Sequence, residues 1–179
     1  MMDGTDSPAR NPWIEGALVT YEGPLVAYAS RLLGDAHRAR DAVQETFLRL
    51  VAARPDEVNG HLAPWLYTVC RRQCLDVLRK EDRMHVADVE TLDRRAGREA
   101  DPAAAAQTSD HASHALAAVA ALPPNQREVV ELRFRHGLSY AEIARVTGLT
   151  ATNVGFLLHV GLRALRARMK RDDDDGGAL

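Results

Sequence analysis

Cys70 and Cys74, with seven histidines, are the residues whose types most readily support nucleophilic, redox or metal chemistry. Their spacing of four puts both thiols on one side of a helix, where a disulfide across a single turn is geometrically poor and packing is the simplest role. A redox or metal role would recruit His85, His111 or His114 as further ligands, but the paired short spacings of a zinc site are absent. No Ser/His/Asp order, phosphate-cradling glycine loop or metal-ligand cluster appears elsewhere. Neither catalysis nor a cofactor is expected, and the chain does not read as an enzyme.

Charge is the more informative signal. The 179 residues carry a formal net charge of −2, but the sum hides a partition. Between Leu122 and Arg171 nine Lys or Arg stand against three Asp or Glu, whereas Glu81 to His114 carries four against eight and the end holds "DDDD". A basic module beside acidic segments is the electrostatic footprint of something that approaches phosphate. The polar start "MMDGTDSPARNPW" lacks the basic and apolar regions of a signal peptide, and no stretch approaches the roughly 20 apolar residues of a membrane span. A cytoplasmic protein with reduced thiols and no direct membrane insertion is expected.

The elements that must position this charge are helices. Leu18, Tyr21, Leu25, Tyr28 and Leu32 recur at helical spacing, with Gly34 as a stop and Pro24 as an expected break or kink. "DAVQETFLRLVAAR" places Val43, Phe47, Leu50 and Val51 on a core face and leaves Asp41, Gln44, Glu45, Leu48 and Arg49 on an unusually polar outer one. A third helix opens near Pro64, with a core stripe of Leu66, Val69, Cys70, Cys74 and Val77 and an opposite face of Tyr67, Arg71, Arg72 and Arg79. The segment that follows has no sustained apolar stripe and reads as a flexible linker. Beyond it come a short apolar helix ended by "PP" and another stopped by Gly137. Ser139 and Glu142 form a capping box, Gly148 turns the chain, and Thr150 caps a last helix with the stripe Val154, Leu157, Leu158, Leu162 and Leu165. Two helices joined by a glycine turn in a basic segment predict a helix-turn-helix, with an ordinary helical hairpin as the alternative.

In order, "DAHRARDAVQETFLRL", "APWLYTVCRRQCLDVLRK" and "LPPNQREVVELRFRHGLSYAEIARVTGLTATNVGFLLHVGLRALR" resemble the bacterial RNA polymerase sigma factors of the small extracytoplasmic-function type, within the sigma-70 family. The resemblance implies an all-α chain of two small helical domains joined by a flexible linker. Its expected divisions are a tail over 1–16, region 2 over 17–82, the linker over 83–110, region 4 over 111–171 and an acidic tail over 172–179. In the family, region 2 docks on the clamp of the polymerase largest subunit and melts the minus-10 element. Region 4 reads the minus-35 element while resting on the flap of the second-largest subunit. Carried over by position, Asp41, Gln44, Glu45 and Arg49 match the clamp-binding face. Trp65, Tyr67, Arg71, Arg72 and Arg79 match the helix that approaches the minus-10 strand, where aromatics stack on bases and arginines hold phosphate. Trp65 and Tyr67 serve equally well as core residues. The loop Asp56 to Ala63 matches a segment that pockets a flipped-out base. The resemblance also implies an anti-sigma factor as partner.

Two departures stand out. Arg72 replaces an asparagine common in the family, and Gly155, Leu157 and Val160 occupy positions where Lys or Arg is common. The outward set expected for minus-35 reading is therefore Asn153, Phe156, His159 and Arg163, with Arg145, Arg133, Arg135 and Arg166 flanking on phosphates. The rival readings are a stand-alone helix-turn-helix regulator acting as a dimer on a palindrome, and a sigma-like protein that binds partners but reads promoters weakly. The terminal "RDDDDGGAL" reads as a solvated end, or alternatively as a nucleic-acid mimic.

Overall fold

Apart from the helical Val58, seven helices make up the regular structure of the described residues in the computed structural model, which are 12–54, 58, 60–87 and 110–176, with side chains at 12–54, 58, 60–83 and 115–170. They divide into two compact units, the first holding α1 (Pro12–Leu33), α2 (Ala36–Ala52) and α3 (Leu62–Ala87), the second α4 (Asp110–Ala120), α5 (Pro124–Phe134), α6 (Tyr140–Thr147) and α7 (Ala151–Gly176). Among the described residues no helix is long and apolar enough to cross a membrane.

Several boundaries differ from expectation. The first helix begins at Pro12, so part of the expected tail is helical; Pro is tolerated at a first helical position because its missing N–H has no partner there anyway. It also runs through Pro24. Both Pro24 and Thr20, whose carbonyl loses its intrahelical partner, are exposed, so water can take the place of that bond. Helix α3 continues to Ala87 and α7 to Gly176, past the expected starts of the linker at 83 and the acidic tail at 172. Residues 88–109 of the expected linker lie outside the described residues.

In the first unit, two residues turn the chain between α1 and α2. Gly34, at φ 66°, donates its N–H to Ser30 O at 2.8 Å, a left-handed stop that a side chain would strain. Asp35 Oδ1 then accepts from His37 N at 2.9 Å and Arg38 N at 3.0 Å, satisfying two N–H groups that the helix start leaves unpaired. The three helices pack on one another around Leu25, Tyr28, Ala29, Leu50, Leu66, Tyr67, Cys70 and Cys74. The Tyr28 and Tyr67 rings meet edge to face with centroids 5.3 Å apart, an arrangement that adds to the area they bury. Thr46, polar but fully buried, satisfies its hydroxyl by donating to Ala42 O at 2.7 Å. Val51, expected in the core, is instead exposed: it follows Leu50 by one residue, about 100° around the helix, which carries it past the edge of the buried stripe of Ala39, Val43, Thr46 and Leu50.

The second unit is assembled on α7, which contacts α4, α5 and α6. Its buried stripe is Val154, Leu158 and Gly161, facing a core that includes Leu122, Val129, Val130, Leu132 and Ile143. A Cβ at Gly161 would stand 3.2 Å from Val130 Cγ2 and 3.6 Å from Gln126 Cβ, so the missing side chain is what lets α5 and α7 approach. Arg127 closes the neighbouring corner, donating to Ala120 O and, at 3.0 Å, to Leu122 O, which takes up carbonyls left open at the end of α4. Gly161→Leu should destabilise the protein by about 1–3 kcal/mol through overpacking, measured by urea unfolding. Stability equal to the unmodified chain would show that the α5–α7 contact yields freely.

Candidate nucleic-acid and protein interfaces

The face of α2 turned away from the core carries Asp41, Gln44, Leu48 and Arg49 as exposed residues, with Glu45 half-buried among them. Spacings of three and four place Asp41, Gln44, Glu45 and Leu48 together. Leu48, 59% exposed and absent from the residues expected to bind, is an apolar side chain among polar ones, the pattern with which an interface anchor sits inside a polar rim. Asp41 pairs with His37 Nδ1 at 3.2 Å, and Arg49 Nε donates to Glu45 Oε1 at 3.1 Å. These surface pairs add little stability.

On α3, Trp65, Arg72, Asp76 and Arg79 follow one another at seven, four and three residues and share an outward face, with Trp65 half-buried and the other three exposed. Arg79 Nη1 bonds Asp76 Oδ1 at 3.3 Å. Arg71 lies on a different flank, half-buried. Tyr67 is corrected outright: it is 1% exposed, edge-on to Tyr28, and belongs to the core rather than to any surface a DNA strand meets. Its position one residue after Leu66 widens the apolar stripe, which is how a tyrosine read as outward came to be buried. Of the loop expected to pocket a base, residues 56, 57 and 59 lie outside the described residues; Val58 is buried and His61 N donates to Val58 O at 3.1 Å.

Cys70 and Cys74 form no disulfide and are buried in the same core. The adjacent Cys74 thiol, and after it burial, push the Cys70 thiol far above the ordinary thiol range, outweighing the Thr46 hydrogen bond that acts the other way. A thiol held neutral and covered packs rather than reacts. The side chains of His85, His111 and His114 lie outside the described residues.

The turn between α6 and α7 is built as its sequence pattern implies. Glu142 N donates to Ser139 Oγ at 3.3 Å while Ser139 N donates to Glu142 Oε2 at 2.7 Å, so each end of the capping box satisfies the other. Gly148, at φ 77°, returns its N–H to Ala144 O at 2.9 Å, and Thr150 Oγ1 accepts from Asn153 N at 3.2 Å to open α7. With both ends pinned, α7 presents Thr152, Asn153, Phe156, His159, Arg163, Arg166 and Lys170, all exposed, opposite its buried stripe. Phe156 is 64% exposed. The second half of the stripe is basic although the first is not. Arg135 and Arg145 are also exposed.

Gly155, Leu157 and Val160, where charges appeared to be missing, are half-buried flanks of the packing stripe. An ideal Cβ at Gly155 would lie 3.6 Å from Tyr140 Cε2, so the Tyr140 ring covers that flank. Arg133, expected on a phosphate, is engaged within the unit: its Nη1 donates to Leu138 O at 3.0 Å and its guanidinium stands 5.6 Å from the centroid of the Tyr140 ring. It therefore braces the turn that carries α6.

The family model for Sigma-70 region 2 matches residues 18–84 and that for Sigma-70, region 4 matches residues 115–165. SigL, an ECF RNA polymerase sigma factor of Mycobacterium tuberculosis, is 35% identical over 153 residues, covering 80% of this chain and 81% of its own. CarQ, an RNA polymerase sigma factor of Myxococcus xanthus, is 32% identical over 85% of this chain and 90% of its own. SigE of Mycolicibacterium smegmatis is 29% identical over 93% of this chain, which spans 65% of the length of that relative. The sigma factor RpoE from Bartonella quintana, solved in complex with the anti-sigma factor NepR, has a similar fold, with a TM-score of 0.66 at 22% identity over 89% of this chain and 98% of that one. CnrH, solved with the cytosolic domain of CnrY, gives 0.53 at 24% identity over 91% and 92%. The chain belongs to the extracytoplasmic-function sigma factors of the sigma-70 family.

Tyr67→Ala should cost about 3–5 kcal/mol of stability, as removal of a buried aromatic does, whereas Trp65→Ala should cost less than half of that. Thermal or urea unfolding of the two variants checks the assignment. Equal losses would place Trp65 in the core with Tyr67.

Proposed function

We propose that this chain directs core RNA polymerase to promoters from the cytoplasm and assists opening of the DNA, without catalysing a step itself. The observation that carries this reading is the order of two matched regions along one chain, each bearing an outward face of its own: α2 and α3 in the first, α7 in the second. The α2 face, with Leu48 amid Asp41, Gln44 and Glu45, suits the polymerase clamp, because a small apolar anchor ringed by charge gives both affinity and register. Trp65, Arg72 and Arg79 suit the minus-10 single strand, combining a stacking surface with phosphate-holding cations, and Arg71 would approach it from the side.

For the minus-35 duplex we assign Asn153, Phe156 and His159 to base edges and Arg163, Arg166 and Arg145 to phosphates. Asn pairs with adenine through two hydrogen bonds and Phe contacts a thymine methyl, whereas the arginines fix orientation without reading sequence. The flap of the second-largest polymerase subunit and an anti-sigma factor are further partners in this reading. The latter is supported by the similar fold of RpoE, which was solved in complex with the anti-sigma factor NepR. The exposure of Phe156 on the charge-poor half of α7 favours one second reading, in which that half binds a protein.

Footprinting of the full chain assembled with core polymerase tests both. Protection of the minus-35 region should weaken and lose preference at one position with Asn153→Ala, and Arg163→Ala should lower the slope of log affinity against log salt by about 0.9. An unprotected minus-35 region in the unmodified complex, with Phe156→Ala abolishing anti-sigma capture, would transfer α7 to the protein-binding reading. Glu45→Lys should weaken polymerase binding at unchanged melting temperature; unaltered binding would remove the α2 face from the interface.

A further inference from the structure

Arg49 is expected to meet polymerase directly, but its guanidinium already has partners on two helices. On α2 its Nε donates to Glu45 Oε1 at 3.1 Å. Across to α3, with the amide turned so that both groups are satisfied, Gln73 Oε1 accepts from Arg49 Nε at 2.8 Å and from Nη2 at 3.0 Å. Gln73 is half-buried. By helical position it lies at the edge of the α3 core stripe, three residues before Asp76 and one after Arg72, beside the outward face that carries Trp65, Arg72 and Arg79. One side chain thus spans from the outward face of α2 to the flank of the outward face of α3.

We propose that Gln73 is a positioning residue for polymerase binding, which holds Arg49, and through it Glu45, in the arrangement the partner meets. The inference rests on the reading of α2 as the polymerase-binding face. A long arginine left to itself must be ordered when the complex forms, and that loss of freedom weakens binding. An arginine already fixed by an amide and a carboxylate loses much less. The amide suits this role because its oxygen reaches both Nε and Nη2 and so orients the guanidinium. The same bond ties α2 to α3, so the face that binds polymerase and the face that meets the melted strand keep one register.

The test is titration of the fluorescently labelled full chain with purified core RNA polymerase. Gln73→Met, similar in length but without the acceptor, should weaken binding about threefold to tenfold, the cost of ordering one long side chain as the complex forms, at a melting temperature close to that of the unmodified chain. Gln73→Glu, which keeps an acceptor at the same reach, should bind within about twofold of the unmodified chain. In an Arg49→Met background, Gln73→Met should add nothing further, since the strut is already gone. Unchanged binding by Gln73→Met, or losses that simply add in the double variant, would overturn the proposal. A loss shared by Gln73→Met and Gln73→Glu, or accompanied by a large fall in melting temperature, would make Gln73 a structural residue and overturn it as well. Glu45→Lys serves as the control for the underlying reading: if it binds normally the α2 interface fails, whereas if it binds weakly while Gln73→Met binds normally only the role of Gln73 fails.

Discussion

The burial of one stripe of α7 is the constraint on which the second unit depends. Val154, Leu158 and Gly161 are covered by α5 and its neighbours, and the approach at Gly161 is so close that a single added carbon would stand 3.2 Å from Val130. Because a helix has a fixed angular repeat, committing that stripe to the core decides which residues face outward: Asn153, Phe156, His159, Arg163 and Arg166. It also explains why the helix looked short of charge. Gly155, Leu157 and Val160 lie on the flanks of the packing stripe, and Gly155 is where the Tyr140 ring rests. The capping box and the left-handed Gly148 set the start of α7, so the outward stripe keeps its direction without help from the surface residues themselves.

The first unit solves the same problem with two helices. α2 and α3 each turn one face into a shared core, and the faces left over differ in chemistry. The α2 face is acidic and amide-bearing with an apolar leucine at its middle; the α3 face carries Trp65 and two arginines. The core between them is ordinary hydrophobic packing with one polar residue, Thr46, satisfied on its own helix. The ties that cross from α2 to α3 near the surface are polar: Arg49 to Gln73, and Arg38 to Glu81. Polar ties of this kind contribute little to stability when exposed.

Much of this organisation is legible in the sequence, for identifiable reasons. Glycine stops at Gly34 and Gly148, the Ser139 capping box and the Thr150 cap are local chemistry, and all four appear with the expected bonds. The outward face of α2 is legible because its apolar positions repeat cleanly. What is not legible depends on angular detail or on partners distant in sequence. Tyr67 is one position from Leu66 and could have faced either way; the Tyr28 ring it packs against lies on another helix, distant in sequence. Arg133 looks like a free surface cation until the Leu138 carbonyl and the Tyr140 ring are seen beside it. The run of α1 through Pro24 was hidden because a proline signals a break, and the exposed setting of Thr20 and Pro24 that softens the loss is a tertiary fact.

The central claim is that the two units act together, through polymerase, on two unlike promoter elements. Transcription by purified core RNA polymerase on a pool of genomic promoter fragments, with permanganate probing of unpaired thymines, tests it most directly. The account predicts promoter-specific starts and reactive thymines around the minus-10 element only when the chain and core are both present. Tight, sequence-specific binding of duplex palindromes by a dimer of the chain alone, with no polymerase-dependent starts, would contradict it.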